Sequence, residues 1–189
     1  EEFQSTADSI AEIALNEKPE NLEALLNLAL EGRAIRDIVS DMVGKVGEKI
    51  EVGAYEKLES NSVVAYNHMG NKIGVLVGLS DGSNGATNAG RDVAMQIAAM
   101  NPVALDETSV PQKAIDQELE VAREQILSEG KPENLVDKIA QGKLNKFFKE
   151  NTLVNQPFVK DNKQTVQQYL QGIDSNLKIT DFKRVSVTE

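Results

Sequence analysis

The sequence predicts an α+β fold: a helical N-terminal part, antiparallel three-stranded sheets with packed helices, and an inserted antiparallel helical hairpin. Three observations carry this expectation. Apolar residues recur at helical spacing from Ala7 to Val46. Val63, Val64, Ala65 and Tyr66 form one β-rich arm and Ile73, Val75, Leu76 and Val77 another, around Gly70-Asn71, a pair that tolerates positive φ. Residues 111 to 150 hold two amphipathic stretches joined by Glu129-Gly130-Lys131-Pro132.

Taken in order, Gln4 to Leu15 places Ala7, Ile10, Ala11 and Ala14 on one helical face. Pro19 opens a second helix carrying Leu22, Leu25, Leu26, Ala29 and Leu30, and Gly32 ends it. Ile35, Ile38, Val39, Met42, Val43 and Val46 make the apolar face of a third helix that stops at Gly47. Lys49 to Leu58 reads as a strand leading into the hairpin, so three antiparallel strands are expected nearly end to end. The stretch from Asp81 to Gly90 is rich in Gly, Ser, Asn and Thr and reads as a loop, followed by a helix from about Ala89 to Met100 that Asn101-Pro102 stops. Ile115, Leu119, Ala122 and Ile126 stripe one later helix, and Val136, Ile139 or Ala140, Leu144 and Phe147 stripe the next. Gly130 as a cap and Pro132 at the following helix start predict a tight reversal between them. Asn151 to Asn162 is expected to be a proline-fixed loop, Lys163 to Gln171 a short helix, and Leu177 to Val187 a strand beside the hairpin. Strict alternation puts Leu177, Ile179, Asp181, Lys183, Val185 and Val187 on one of its faces, and Lys178, Thr180, Phe182, Arg184 and Ser186 on the other.

Composition narrows the chemistry. The 189 residues contain no cysteine and one histidine, which excludes disulfides, thiolate nucleophiles, cysteine-ligated metals and any multi-histidine metal site. No apolar run exceeds Ile73 to Leu79, far short of the roughly 20 residues of a membrane span. With no signal-peptide pattern either, the expected compartment is the cytoplasm. Residues 1 to 61 carry 14 acidic against 6 basic side chains, a balance that disfavours nucleic acid as a direct ligand. Residues 62 to 101 carry 2 of each, and that neutral block coincides with the hairpin and the following helix, where buried or partner-facing surface is expected.

Two motifs invite a chemical reading. Gly85 and Gly90 have the spacing of a phosphate-binding loop, with a strand before and a helix after. Arg91 and Asp92 stand where such a loop needs a lysine and a magnesium-ligating hydroxyl, so the motif lacks its chemistry. A nucleotide-binding enzyme built on Gly85 to Gly90 is nonetheless the alternative reading. Asp81 and Ser83 begin the spacing of a calcium loop, but Gly85 and Ala86 break it. The single histidine, His68, falls at the hairpin tip in Tyr66-Asn67-His68-Met69-Gly70, where it can either dock against a partner or be a satisfied surface residue.

In sum along the chain, Tyr66-x-His68-x-Gly70-x-x-Ile73-Gly74-Val75-Leu76-Val77, Asp92 to Pro102, Gly130-Lys131-Pro132-Glu133-Asn134, Asn145 to Glu150, Gln156-Pro157-Phe158-Val159-Lys160 and Lys163-Gln164-Thr165-Val166 resemble bacterial elongation factor Ts in order and spacing. The resemblance covers essentially the whole chain. It implies a guanine nucleotide exchange factor for elongation factor Tu, promoting GDP release, with no active-site chemistry, cofactor or metal of its own. It also implies a domain plan: an N-terminal core subdomain over residues 1–61, a C-terminal core subdomain over 62–104 and 151–189, and an inserted helical hairpin over 105–150. That hairpin serves self-association in some members, which leaves a homodimer and a purely structural role both open.

The resemblance places partner contacts at Val46 and Gly47, matching an Ile-Gly pair that approaches the GTPase domain, and at His68, with Met69 and Gly70 beside it. Val46 also completes the apolar stripe of its helix, so core packing competes with contact there. Family members carry an N-terminal helical module and then a Thr-Asp-Phe-Val segment that disturbs the partner's magnesium site. Both are expected upstream of Glu1, so the present chain reads as truncated and weak in exchange. Thr180-Asp181-Phe182 is not a substitute, because strand alternation accounts for its Phe.

Overall fold

In the computed structural model, which describes residues 2–68 and 70–187, the chain separates into two units, one up to Lys57 and the other from Leu58 onward. The mixed helices and small antiparallel sheets make the fold α+β, as predicted.

The first unit opens with α1 (Glu2–Glu17), which buries Ile10 and Ala14. The next helix, α2 (Leu22–Leu26), starts at Asn21, whose side chain accepts the Ala24 N–H at 2.9 Å. It is shorter than predicted. Asn27 caps its C-terminus, and Ala29–Leu30 (β1) and Arg33–Ala34 (β2) then pair antiparallel across Glu31 and Gly32, at φ of 53° and 80°. The leucine spacing continues through this turn, so periodicity alone did not reveal the reversal. Helix α3 (Ile35–Val46) matches its predicted bounds and buries Ile35 and Met42. Ile10, Ala14, Leu25 and Ile35 form the core of this unit, with Val39, Val52 and Tyr55 packed around it.

The predicted strand from Lys49 to Leu58 does not form; that segment is irregular. Its apolar residues Val52 and Tyr55 are three apart, a step that breaks the two-residue period of a strand, and both pack on the helical core instead.

The second unit is built on β3 (Ser62–His68) and β4 (Ile73–Leu79), the predicted hairpin. Helix α4 spans Asn84–Met100, the helical hairpin consists of α5 (Gln112–Ser128) and α6 (Glu133–Asn151), and a short pair of strands, β5 (Pro157–Phe158) and β6 (Asp161–Thr165), precedes α7 (Val166–Ile173) and β7 (Ile179–Ser186). The third strand of the main sheet is therefore β7, from the far end of the chain, in the antiparallel order β3-β4-β7. Val64, Val75, Val77 and Leu79 turn toward α4, which buries Val93, Ala94 and Ile97 against them. A bulge beside Gly78 and Leu79 pairs Leu79 with Ile179 while Val77 pairs with Phe182. Ile179 is buried and Phe182 packs on the same core, so the strict alternation expected for this strand fails at the bulge.

Residues 157 to 165 also depart from expectation. A β5–β6 pair replaces the loop, and α7 starts only at Val166, where Thr165 and Gln168 form a reciprocal capping box. The helical hairpin forms as predicted. Lys131 N–H bonds Ile126 O and Gly130 N–H bonds Leu127 O, a Schellman closure with Gly130 at φ 71°. Ala122, Ile126, Val136 and Ala140 fill the seam between its helices.

Candidate protein-binding surfaces

The C-terminal end of α3 is the first candidate surface. Val46 is 54% exposed and lies outside the core of its unit, so burial of the apolar stripe stops at Met42. The competition between packing and exposure at Val46 is thus decided for exposure. Gly47 follows at φ 76° and ψ 10°, a left-handed cap whose N–H bonds Val43 O at 2.9 Å. Lys45 reaches back to Glu2 at 2.5 Å, tying the last turn of α3 to the first turn of α1. The hydrogen bond and charge of Lys45 hold the Glu2 carboxyl below its usual range, and Glu2 holds Lys45 above its own. Both side chains are exposed, so the pair orients this end of the unit more than it stabilises it.

The second candidate surface is the β3 end of the hairpin. His68 is half-buried at the last position of β3, opposite Ile73. Gly70 is exposed, with Gly70 and Asn71 at φ of 64° and 69°, as the turn chemistry predicts. Lys72 N–H closes the turn on His68 O at 3.1 Å, and Val187 N–H bonds Lys72 O at 3.0 Å, fastening the turn to the end of β7. Met69 lies outside the described residues. The Tyr66 hydroxyl stands 2.9 Å from His68 Nδ1, a partner the motif reading did not bring out. The signal was present, because residues two apart on a strand share a face.

Val46 and Gly47 belong to the first unit and His68 and Gly70 to the second. Neither surface holds a constellation for bond chemistry among the described residues. Among the described residues, no three His, Asp or Glu side chains gather in a way that could hold a metal ion.

The nucleotide-loop alternative meets a direct obstacle. Gly85 to Gly90 is not a loop: α4 starts at Asn84, with the Ser83 hydroxyl capping it by accepting Ala86 N–H at 3.3 Å. A Cβ on Gly90 would lie 2.7 Å from Val64 Cγ2 and 2.8 Å from Leu79 Cδ1, so this glycine lets the helix approach the sheet rather than cradle a phosphate. Asp92 accepts from Tyr169 Oη at 2.7 Å and pairs with Lys160 at 2.5 Å. The Asp81 carboxylate is committed locally, held below its usual range by the Ser83 hydroxyl and by backbone N–H groups of Gly82 and Ser83. Thr180-Asp181-Phe182 is also absorbed by the fold: Asp181 accepts the Phe182 N–H at 2.7 Å and pairs with Lys183 at 3.1 Å. These three residues help line a cleft of about 420 Å³ between β7 and residues 101–109.

Comparison with known proteins agrees with the motif register. The family model described as Elongation factor TS matches residues 1–189. Elongation factor Ts of Amoebophilus asiaticus is 51% identical over 187 residues, covering 98% of this chain and 67% of that protein. Elongation factor Ts of Christiangramia forsetii is 48% identical, covering 99% of this chain and 68% of that protein. The protein of the same name from Alkalilimnicola ehrlichii is 41% identical over 191 residues, covering 63% of its length.

Proposed function

The chain belongs to the elongation factor Ts family, and from that premise we propose that it promotes GDP release from elongation factor Tu. The observation that carries the proposal is the match over the entire chain. Val46 and Gly47 at the end of α3 and Gly70 at the hairpin turn are exposed, with His68 half-buried at the end of β3, and these are positions the resemblance marks for contact. Both ends suit protein docking and neither suits proton or group transfer.

The mechanism is linkage. A factor that binds the nucleotide-free GTPase more tightly than its GDP form must weaken GDP by the same ratio, with no chemical step of its own. Only the margin by which the factor prefers the empty state over the GDP form is withdrawn from GDP binding. Release of a fluorescent GDP analogue from elongation factor Tu, followed with and without this chain, tests the proposal. Binding accompanied by faster release supports it; no detectable binding overturns it.

A second reading concerns self-association through residues 105–150. Val121, Leu127 and Leu135 are 60%, 51% and 42% exposed on α5 and α6, apolar side chains that a second copy of the hairpin would cover. A concentration-dependent mass in light scattering supports this reading, and a constant monomer mass removes it.

A further inference from the structure

We propose that Tyr66 positions His68 for docking: the Tyr66 hydroxyl donates to Nδ1, so the ring carries its proton on Nε2 and presents that N–H to an acceptor oxygen of elongation factor Tu. The inference rests on the reading of His68 as a contact residue and adds to it the atom that makes the contact and the residue that fixes it.

The geometry begins with the strand. Tyr66 and His68 are two residues apart on β3, opposite Val75 and Ile73, so both side chains leave the same face of the sheet. Their ring centroids are 5.7 Å apart at an interplanar angle of 36°, and the hydroxyl is 2.9 Å from Nδ1. Tyr66 packs against the core between the sheet and α4, which anchors the phenol while its hydroxyl reaches the imidazole.

The direction of the bond follows from donors and acceptors. A neutral imidazole has one N–H and one lone pair, and a phenol has one proton to give. If Nδ1 carried the hydrogen and donated to the phenol oxygen, the hydroxyl proton of this half-buried pair would be left to solvent rather than to a protein acceptor. Among the described residues, the Tyr66 hydroxyl bonds to His68 Nδ1 and to no other side chain or backbone group. Donation from the hydroxyl to Nδ1 uses both groups fully and assigns the proton to Nε2. That nitrogen lies across the ring from Nδ1, on the side away from the phenol. The ligand chemistry is therefore a hydrogen-bond acceptor on the partner, a backbone carbonyl or a carboxylate, met by a pre-set neutral donor.

His68 is the chain's one histidine, so its imidazole nitrogens can be followed by NMR without ambiguity. The experiment records them in the wild type and in Tyr66→Phe over a series of pH values. Affinity for elongation factor Tu is then measured for both proteins and for His68→Ala, His68→Gln and His68→Asn. The wild type is expected to show the Nε2–H tautomer and Tyr66→Phe a mixture of tautomers, with affinity lower by roughly three- to tenfold, as for a lost hydrogen bond between neutral groups. His68→Gln, whose longer amide brings an N–H toward the Nε2 position, is expected to retain more affinity than His68→Asn. A wild-type Nδ1–H tautomer overturns the proposal. So does an unchanged tautomer in Tyr66→Phe, even where His68→Ala loses affinity, because then only the positioning role has failed. Wild-type affinity in His68→Ala overturns the contact reading itself.

Discussion

At Gly90 a single absent methyl group sets how closely α4 lies on the sheet. Val64 Cγ2 and Leu79 Cδ1 occupy the space a side chain would take, and both residues belong to the main core. Gly90→Ala is expected to destabilise the protein by about 1–3 kcal/mol through overpacking, measured by urea unfolding. Asp106 illustrates a different kind of residue-scale effect. Its carboxylate accepts from Ser109 Oγ, Thr108 Oγ1 and Ser109 N–H at the start of a short 3-10 turn, and these bonds, those of the Ser109 and Thr108 hydroxyls foremost, hold its carboxyl below the usual range. A depressed carboxyl contributes stability above its unfolded pKa, near 4, and loses it as pH falls through the lower folded value. Protection of the Ser109 amide, measured as its exchange rate relative to that of an unstructured peptide at the same pH, is therefore expected to fall on acidification below about pH 4. Asp106→Ala should show fast exchange there even at neutral pH, and a cost of about 1 kcal/mol.

At the scale of elements, motif residues that resemble a binding pattern turn out to join secondary structures. Gln96 of α4 is fully buried; its Nε2 donates to Gln156 Oε1 and Pro157 O, and its Oε1 accepts the Val159 N–H at 2.8 Å. Gln156 in turn donates to Glu150 O at the end of α6. One satisfied amide network thus fastens α4, α6 and β5 together. Beside it, Tyr169 of α7 stacks on Phe158 at 4.2 Å and donates to Asp92, and burial together with that carboxylate pushes its phenol pKa up. Tyr169→Phe keeps the stacking and removes the bond, with an expected loss of about 0.5–1.5 kcal/mol in unfolding free energy. The helical hairpin rests on a much smaller core. Ile126 is fully buried in it, and Ile126→Ala is expected to cost about 2–5 kcal/mol locally, seen as early loss of helical signal on heating.

For the whole molecule, function is expected to depend on exposed features of two units rather than on an enclosed site. Val46→Gln should leave the unfolding curve nearly unchanged, since its side chain is 54% exposed, while lowering affinity for elongation factor Tu by about tenfold, the loss expected of an interface anchor. A titration of the variant by calorimetry checks this, and unaltered affinity would remove Val46 from the contact surface. The acidic excess over residues 1 to 61 suggests a basic counterpart on the partner. Association is accordingly expected to slow as salt rises, while dissociation changes little.

The sequence by itself determined what local chemistry dictates. Helical spacing defined α1, α3, α5 and α6, Gly70-Asn71 defined the hairpin turn, Gly130 defined the helical reversal, and the register of short motifs carried the family. Tertiary structure decided what depends on residues far apart in the chain. It chose β7 instead of residues 49–58 as the third strand, because a strand needs a partner for its backbone groups and β4 finds one about a hundred residues later. It extended α4 back over Gly85, because Ser83 caps the helix, and it set Gly90 against the sheet, where there is no room for a side chain. It left Val46 in solvent, because the core of its unit closes around Ile10, Leu25 and Ile35 before the stripe of α3 ends. Periodicity states which residues can share a face; only the packed neighbours state whether that face is covered.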